Sequence, residues 1–310
     1  MNININIDKK KDNIKGSAFL FFASLIWGLT FVAQSVGMDY IGPFTFNTIR
    51  FLLGGFALLP VIAIFRREPK RAFVVGSACE RTTKRGNLIW GGVICGVLIF
   101  AATGLQQIGL TYTTVGKAGF LTALYVVFVP VLGLCLKQKP GIFIWIGVSF
   151  ALAGLYFMSM DTRFIFEKGD IPVLLCALIF SIQILAVDHF SPLVDGVKLS
   201  CIQFFVAAVL SSAAMFLFEK PCLTAIYAAR IPLLYTGFLS CGVAYTFQIL
   251  GQKTTPPAVA SVIFGLEAVF AAFFGWLILH ERLSMRETIG AVLVFSAVLL
   301  SQLSTKKNRG

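Results

Sequence analysis

Apolar positions run in long windows that carry almost no charge, and short polar stretches separate them. Ten such windows can be read along the chain. They are Ser17–Val36, Gly42–Phe65, Asn87–Gly109, Ala118–Leu136, Gly141–Met160, Ile171–Val187, Leu199–Phe218, Ile231–Gln252, Pro256–Leu279 and Thr288–Leu303. Most approach the ~20 residues that cross about 30 Å of hydrocarbon at 1.5 Å per residue. Ile171–Val187 and Thr288–Leu303 are short, so their ends are the least sharply defined. The period-two alternation of a membrane β-barrel is absent. The pattern predicts an all-α polytopic membrane protein with ten transmembrane helices, numbered here as spans 1 to 10.

Lys9, Lys10, Lys11 and Lys15 precede the first window, as in a signal peptide. The apolar run that follows is long and bulky and lacks a small-residue cleavage site, so it reads as an uncleaved first span.

Composition narrows the class further. Hydrophobic residues make up 57% of the 310 and charged residues 13%, and mean hydropathy is +0.86. Soluble domains carry about 45–50% apolar and about 25% charged residues. A soluble chain of this length could not bury so much apolar side chain. An ordinary cytosolic enzyme, a disordered chain and a secreted disulfide scaffold are excluded. The seven cysteines form no CxxC pair and lie mostly inside apolar windows, where Cys acts as a small hydrophobe. No zinc site, disulfide frame or cofactor is expected.

Lys plus Arg outnumber Asp plus Glu by 26 to 14, a net charge of +12. The excess would suit nucleic acid, but the charges sit between the windows, so no nucleic-acid partner is expected. With a cytoplasmic N-terminus, 18 basic residues fall inside, 7 outside, and Arg50 lies within span 2. The stretch from Arg66 to Arg85 carries much of this bias. The positive-inside rule therefore puts both termini in the cytoplasm of a multi-pass inner (plasma) membrane protein.

The chain also repeats itself. Leu105–Gly133 aligns without gaps on Phe247–Gly275, and eight of the 29 pairs are identical: Gln106/Gln248, Gly109/Gly251, Thr113/Thr255, Ala118/Ala260, Leu124/Leu266, Val127/Val269, Phe128/Phe270 and Gly133/Gly275. Chance would give roughly two or three in so biased a composition. Weaker matches put Leu25-Ile26-Trp27-Gly28 on Leu178-Ile179-Phe180-Ser181, and Ile146-Gly147 on Ile289-Gly290. The expected organisation is an N-terminal tail (1–16), a first five-helix repeat (17–160), a connecting loop (161–170), a second repeat (171–303) and a C-terminal tail (304–310). Five is odd, so the second repeat enters the membrane from the opposite side. Such 5+5 inverted repeats mark many secondary transporters, with substrate bound near the midplane between the repeats.

Particular segments carry a resemblance. They are Ser24-Leu-Ile-Trp-Gly-Leu-Thr-Phe31, Asn47-Thr-Ile-Arg-Phe51, Lys117-Ala-Gly-Phe-Leu-Thr-Ala-Leu-Tyr-Val-Val-Phe-Val-Pro130, Ala258-Val-Ala-Ser-Val-Ile-Phe-Gly-Leu-Glu267 and Gly275-Trp-Leu-Ile-Leu-His-Glu281. Together, over roughly Gly16 to Gln302, the chain resembles the EamA-type permeases of the drug/metabolite transporter superfamily. The resemblance implies ATP-independent transport of small metabolites, with export of amino acids, related metabolites or drugs as the preferred direction. The family often has Pro after the span 9 Glu. Ala268 stands there instead, which removes that reason for a helix break.

No GxxxxGK[ST], HExxH or GxSxG motif occurs, so neither an ATP-driven pump nor an intramembrane hydrolase is indicated. The chemistry left is a sparse polar set at membrane depth. Arg50 reads either as a lock to the opposite half or as a counter-charge for an anionic substrate group. Glu267 could bind an amine, carry a proton or brace a neighbouring helix; its repeat mate is Tyr125. Gln106 and Gln248 are mates that could line a central cavity or act as interhelical glue. Trp27, Thr30 and Gln34 share one face of span 1, Tyr245 shares a face with Gln248, and Gln183 and Asn47 are weaker candidates. Gly28, Gly104, Gly109 and Gly251 suggest close helix packing, and Pro130 a hinge in span 4.

The partners expected are a small-molecule substrate, membrane lipids and, through Glu267, protons. Two other classes stay open: a lipid or lipid-linked sugar flippase on the same scaffold, and an intramembrane enzyme.

Overall fold

The computed structural model describes residues 2–65, 78–159, 168–279 and 284–307, with side chains over 14–64, 85–158, 168–278 and 284–302. Among them every regular element is helical. Among the described residues nine helices are long and apolar enough to cross a membrane, and Ile142–Met158 is a shorter apolar helix. Large apolar side chains such as Phe22, Trp90, Phe216, Leu217 and Leu299 face outward. That is the surface a lipid-embedded bundle presents, since hydrocarbon does not penalise it.

Several helices outrun their apolar windows. Span 1 is the helix Asn2–Met38, span 3 is Ala78–Leu110, and span 10 is Met285–Lys307. The expected N-terminal tail is thus helical from Asn2. The charged stretches beside these windows hold Lys, Arg, Glu and Gln, which propagate helix well. The apolar window marks the edge of the hydrocarbon, not the end of the helix. Span 6, Asp170–Phe190, is likewise longer than its window. Span 2 is Pro43–Phe65, span 5 is Ile142–Ser159, and span 7 is Gly196–Phe218. Asp195 caps span 7, accepting from Val197 N at 3.0 Å and Lys198 N at 3.2 Å. Residues 66–77 of the basic stretch, 161–167 of the connecting loop and His280-Glu281 lie outside the described residues.

Three spans are irregular. Span 4 is split into Val115–Ala123 and Tyr125–Cys135, and span 9 into Pro257–Phe264 and Leu266–Leu279. Pro130, the expected hinge, lies inside the helix Tyr125–Cys135, and the interruption in span 4 falls at Leu124. Span 9 breaks at Gly265 with no proline beside Glu267. Span 8 runs as Arg230–Leu234, then a π-helix over Tyr235–Tyr245, then Thr246–Gln252. Its repeat mate, span 3, is continuous α-helix, so the π segment is an asymmetry that no sequence pattern announced.

Packing obeys the repeat. Spans 2 and 7 pack together, as do 5 and 10; the 3–6 contact is matched by 8–1, 4–6 by 9–1, and 3–7 by 8–2. Exchanging the halves leaves this set unchanged. The registers agree at the level of residues. Trp27 on Phe180, carried forward, puts Gly16 on Gly169 and Phe51 on Phe204. A Cβ at Gly109 would stand 2.8 Å from the Gly169 carbonyl oxygen, and its mate Gly251 is equally close, 2.8 Å, to Gly16 O. Only glycine allows these crossings. Gly28 abuts Phe270 in the same way, whereas Gly104 is roomy, with Phe44 at 3.5 Å as its nearest neighbour. Phe51 and Phe204 stack at 6.1 Å and 13°. Two mates in contact place the pseudo-two-fold axis between them.

The ends are tied face by face. On the face opposite the termini, Lys117 Nζ meets buried Asp170 Oδ2 at 2.7 Å. There too the Glu219 carboxylate accepts from Phe44 N, Thr45 N and Thr45 Oγ1 at 2.7, 2.8 and 2.6 Å, a favourable place for an anion at the start of span 2. On the terminal face, Ser17 Oγ donates to Gln302 at 3.3 Å, and Lys253 Nζ to Val194 O at 3.2 Å.

Candidate functional site

A cavity lies between the halves, with about 450 Å³ of empty space that includes its opening to solvent. Its walls are built from repeat mates. Trp27/Phe180, Thr30/Gln183 and Phe31/Ile184 come from spans 1 and 6, and Gln106/Gln248, Thr122/Phe264 and Tyr125/Glu267 from spans 3, 4, 8 and 9. These six pairs supply all but two of the lining residues; Gln34 and Tyr245 complete the wall. Their own mates, Val187 and Thr103, do not line it.

Tyr125 directly follows the interruption in span 4, and Glu267 lies two residues after that in span 9. The turns close tightly there: Leu124 N donates to Leu121 O at 3.3 Å and Val127 N to Leu124 O at 2.9 Å. The matching turn has Gly265 N to Ser261 O at 3.0 Å and Ala268 N to Gly265 O at 3.3 Å. Each side chain is thereby fixed in the first turn of a helix. Counted from Val115 and Pro257, both lie about 15 Å along their spans, near the bilayer midplane.

Two amide pairs flank this middle. Towards the face opposite the termini, Gln34 Nε2 donates to Gln106 Oε1 at 3.4 Å, and Gln106 Nε2 to Thr122 Oγ1 at 3.2 Å. Towards the terminal face, Gln248 Nε2 donates to Gln183 Oε1 at 2.9 Å. Trp27 is wedged between Tyr245 and Phe264, with ring centroids 4.9 and 5.2 Å away. The Thr30 hydroxyl turns back to Ile26 O at 2.8 Å.

Three buried polar atoms of the wall have no hydrogen-bond partner, Trp27 Nε1, Gln183 Nε2 and Gln248 Oε1, while the Tyr125 phenol and the Glu267 carboxyl lie beside each other. Turning both amides of the Gln183–Gln248 pair over still leaves one donor and one acceptor free. Buried polar groups are normally satisfied, so a wall with this many free atoms is suited to a polar ligand. It can recognise donors and acceptors together, while Phe31, Phe180, Ile184 and Phe264 offer apolar surface.

Of the residues singled out from sequence, Trp27, Thr30, Gln34, Gln106, Tyr125, Gln183, Tyr245, Gln248 and Glu267 meet in this cavity. Arg50 is not on the wall; it stands behind Gln34, donating Nη1 to Gln34 Oε1. Asn47 is buried away from the cavity with both amide atoms unpartnered. Sequence reasoning missed Phe31, Thr122, Phe180, Ile184 and Phe264. Apolar residues in apolar spans give no signal of their own, although the repeat register identifies Phe180, Thr122 and Phe264 as mates or neighbours of polar candidates.

A multi-pass helical bundle of two related halves around a membrane-depth cavity is the architecture of a membrane transporter. The EamA-like transporter family model matches the chain twice, over residues 14–160 and 167–303, and the protein belongs to this family. An "uncharacterized transporter" of Archaeoglobus fulgidus is 32% identical over 285 residues, covering 92% of this chain and 84% of its own. The "uncharacterized transporter YoaV" of Bacillus subtilis is 26% identical, with 92% and 96% covered. A solved crystal structure superposes with a TM-score of 0.75 at 17% identity, over 95% of this chain and 99% of that one, and shares the fold.

Proposed function

We propose that this transporter is a secondary carrier that moves a small, partly apolar organic metabolite outward across the inner membrane by alternating access. The observation that carries the reading is the composition of the cavity: six repeat pairs contributed equally by both halves. A site made this way changes its exposure when the halves rock, as inverted-repeat carriers require. The basic bias between the spans supports cytoplasmic termini. Glu267, at mid-depth on the cavity wall beside Tyr125, is the group suited to bind a substrate amine or to carry a proton.

The test compares metabolites inside and outside cells that carry the protein, lack it, or carry Glu267→Gln. The expected result is one or a few compounds that accumulate inside both without the protein and with the variant. Indistinguishable profiles across a broad metabolite set would sink the reading.

A further inference from the structure

Arg50 raises a question of charge balance. It is 1% exposed, about 10 Å from the start of its span by helical rise, and a guanidinium stays ionised in proteins. A buried charge without an opposite charge is costly, and intramembrane charges are normally paired. Among the described residues Arg50 has no carboxylate partner. Its contacts are the hydrogen bond to the neutral Gln34 amide and the ring of Phe51, 4.8 Å from the guanidinium carbon. Its Nε has no partner. Gln34 in turn lines the cavity. One side chain therefore separates an uncompensated cation from the space a substrate would fill.

We infer that the missing counter-ion is the substrate itself: the cavity takes an organic carboxylate whose charged end displaces Gln34 Oε1 and binds Arg50. The inference rests on the carrier reading and adds the substrate class. A carboxylate matches the planar guanidinium fork, which can donate two parallel bonds. A phosphate dianion would exceed the single compensating charge. The apolar remainder extends towards Phe31 and Phe264. Gln34 is then a displaceable stand-in, holding Arg50 while the site is empty.

Trp27 provides the readout, because it is the one of the four tryptophans that lines the cavity. With Trp90, Trp145 and Trp276 replaced by Phe, purified protein is titrated with carboxylates from butanoate to octanoate. Each is paired with its primary amide, which has the same shape without the charge. The expected result is a Trp27 emission change with at least one carboxylate bound about tenfold tighter than its amide, the size of a charge-assisted hydrogen bond. Arg50→Gln should erase the preference and Arg50→Lys keep part of it. Gln34→Leu, which removes the competitor, should tighten carboxylate binding, an effect opposite to that of losing a merely structural contact. Equal binding of acids and amides, a preference that survives Arg50→Gln, or no emission change with any acid would each overturn the inference. Binding of amides or amines alone overturns it but leaves the carrier reading standing; absence of any exported metabolite removes the carrier reading instead.

Discussion

The two ends of the cavity are built on one plan and differ in charge. At one end the Gln34–Gln106 pair is backed by Arg50; at the other the Gln183–Gln248 pair has no charge behind it. The register that pairs Trp27 with Phe180 pairs Arg50 with Gln203 and Gln34 with Val187. Gln203 is fully buried and both its amide atoms lack partners, as expected when the mate of Gln34 is a valine. The same contrast appears at the faces, where Lys117 and Asp170 have Val259 and Ser17 as mates. Backbone crossings such as Gly109–Gly169 and Gly251–Gly16 stay matched while polar residues diverge. Symmetry is kept where helices touch and is given up where ions and ligands act.

Breaking the face contrast should have the largest effect. Lys117→Met removes the Lys117 ammonium from Asp170, which is 0% exposed, at a cost of about 3 kcal/mol. The mate change Ser17→Ala should cost under about 0.5 kcal/mol. Thermal unfolding in detergent compares them, and equal shifts would remove the asymmetry of the faces.

The mid-depth pair comes next. Glu267→Gln should slow transport of the substrate by about a hundredfold, the range for loss of a positioned acid–base group, with the midpoint of unfolding little changed. Tyr125→Phe should slow it by about tenfold, the worth of one hydrogen bond to a charged or polar ligand. A reversed order would make the phenol the principal group.

Gln203→Leu should raise stability by about 1 kcal/mol, because it deletes two unsatisfied buried polar atoms and keeps the volume. A lower unfolding midpoint would mean that the amide has a partner in the working protein.

The smallest perturbation uses native thiols. Exposed Cys135 and Cys222 lie on opposite faces by span order. The Cys222 thiol is pulled below its usual pKa by a hydrogen bond with Thr224, which raises its thiolate fraction. A membrane-impermeant maleimide applied outside intact cells should label Cys222 and spare Cys135; the reverse pattern would invert the topology.

Much of the fold was legible because hydrocarbon thickness imposes a length on every apolar window, and because Gln106/Gln248 and Tyr125/Glu267 kept one register through the duplication. The polar part of the site was legible for a related reason: an amide or a carboxyl at membrane depth stands out against its neighbours. The π-helix of span 8 was not, since nothing in the residue pattern of Tyr235–Tyr245 distinguishes a π-helix from an α-helix. Nor was the Glu219 cap on span 2, because nothing local joins residue 219 to residues 44 and 45. The aromatic wall stayed hidden because one Phe among 31 looks like the next.

The stack of Phe51 on Phe204 has a kinetic corollary. In the proposed cycle, where the two halves trade conformations, a contact between non-mates turns into its counterpart, but a contact between mates turns into itself. The ring pair is therefore a fixed point of the cycle, and the distance across it is the same at both ends of a stroke. A pair of spectroscopic probes at these two positions should read the same distance at both ends of the stroke, giving an internal reference against which movement elsewhere in the protein can be measured.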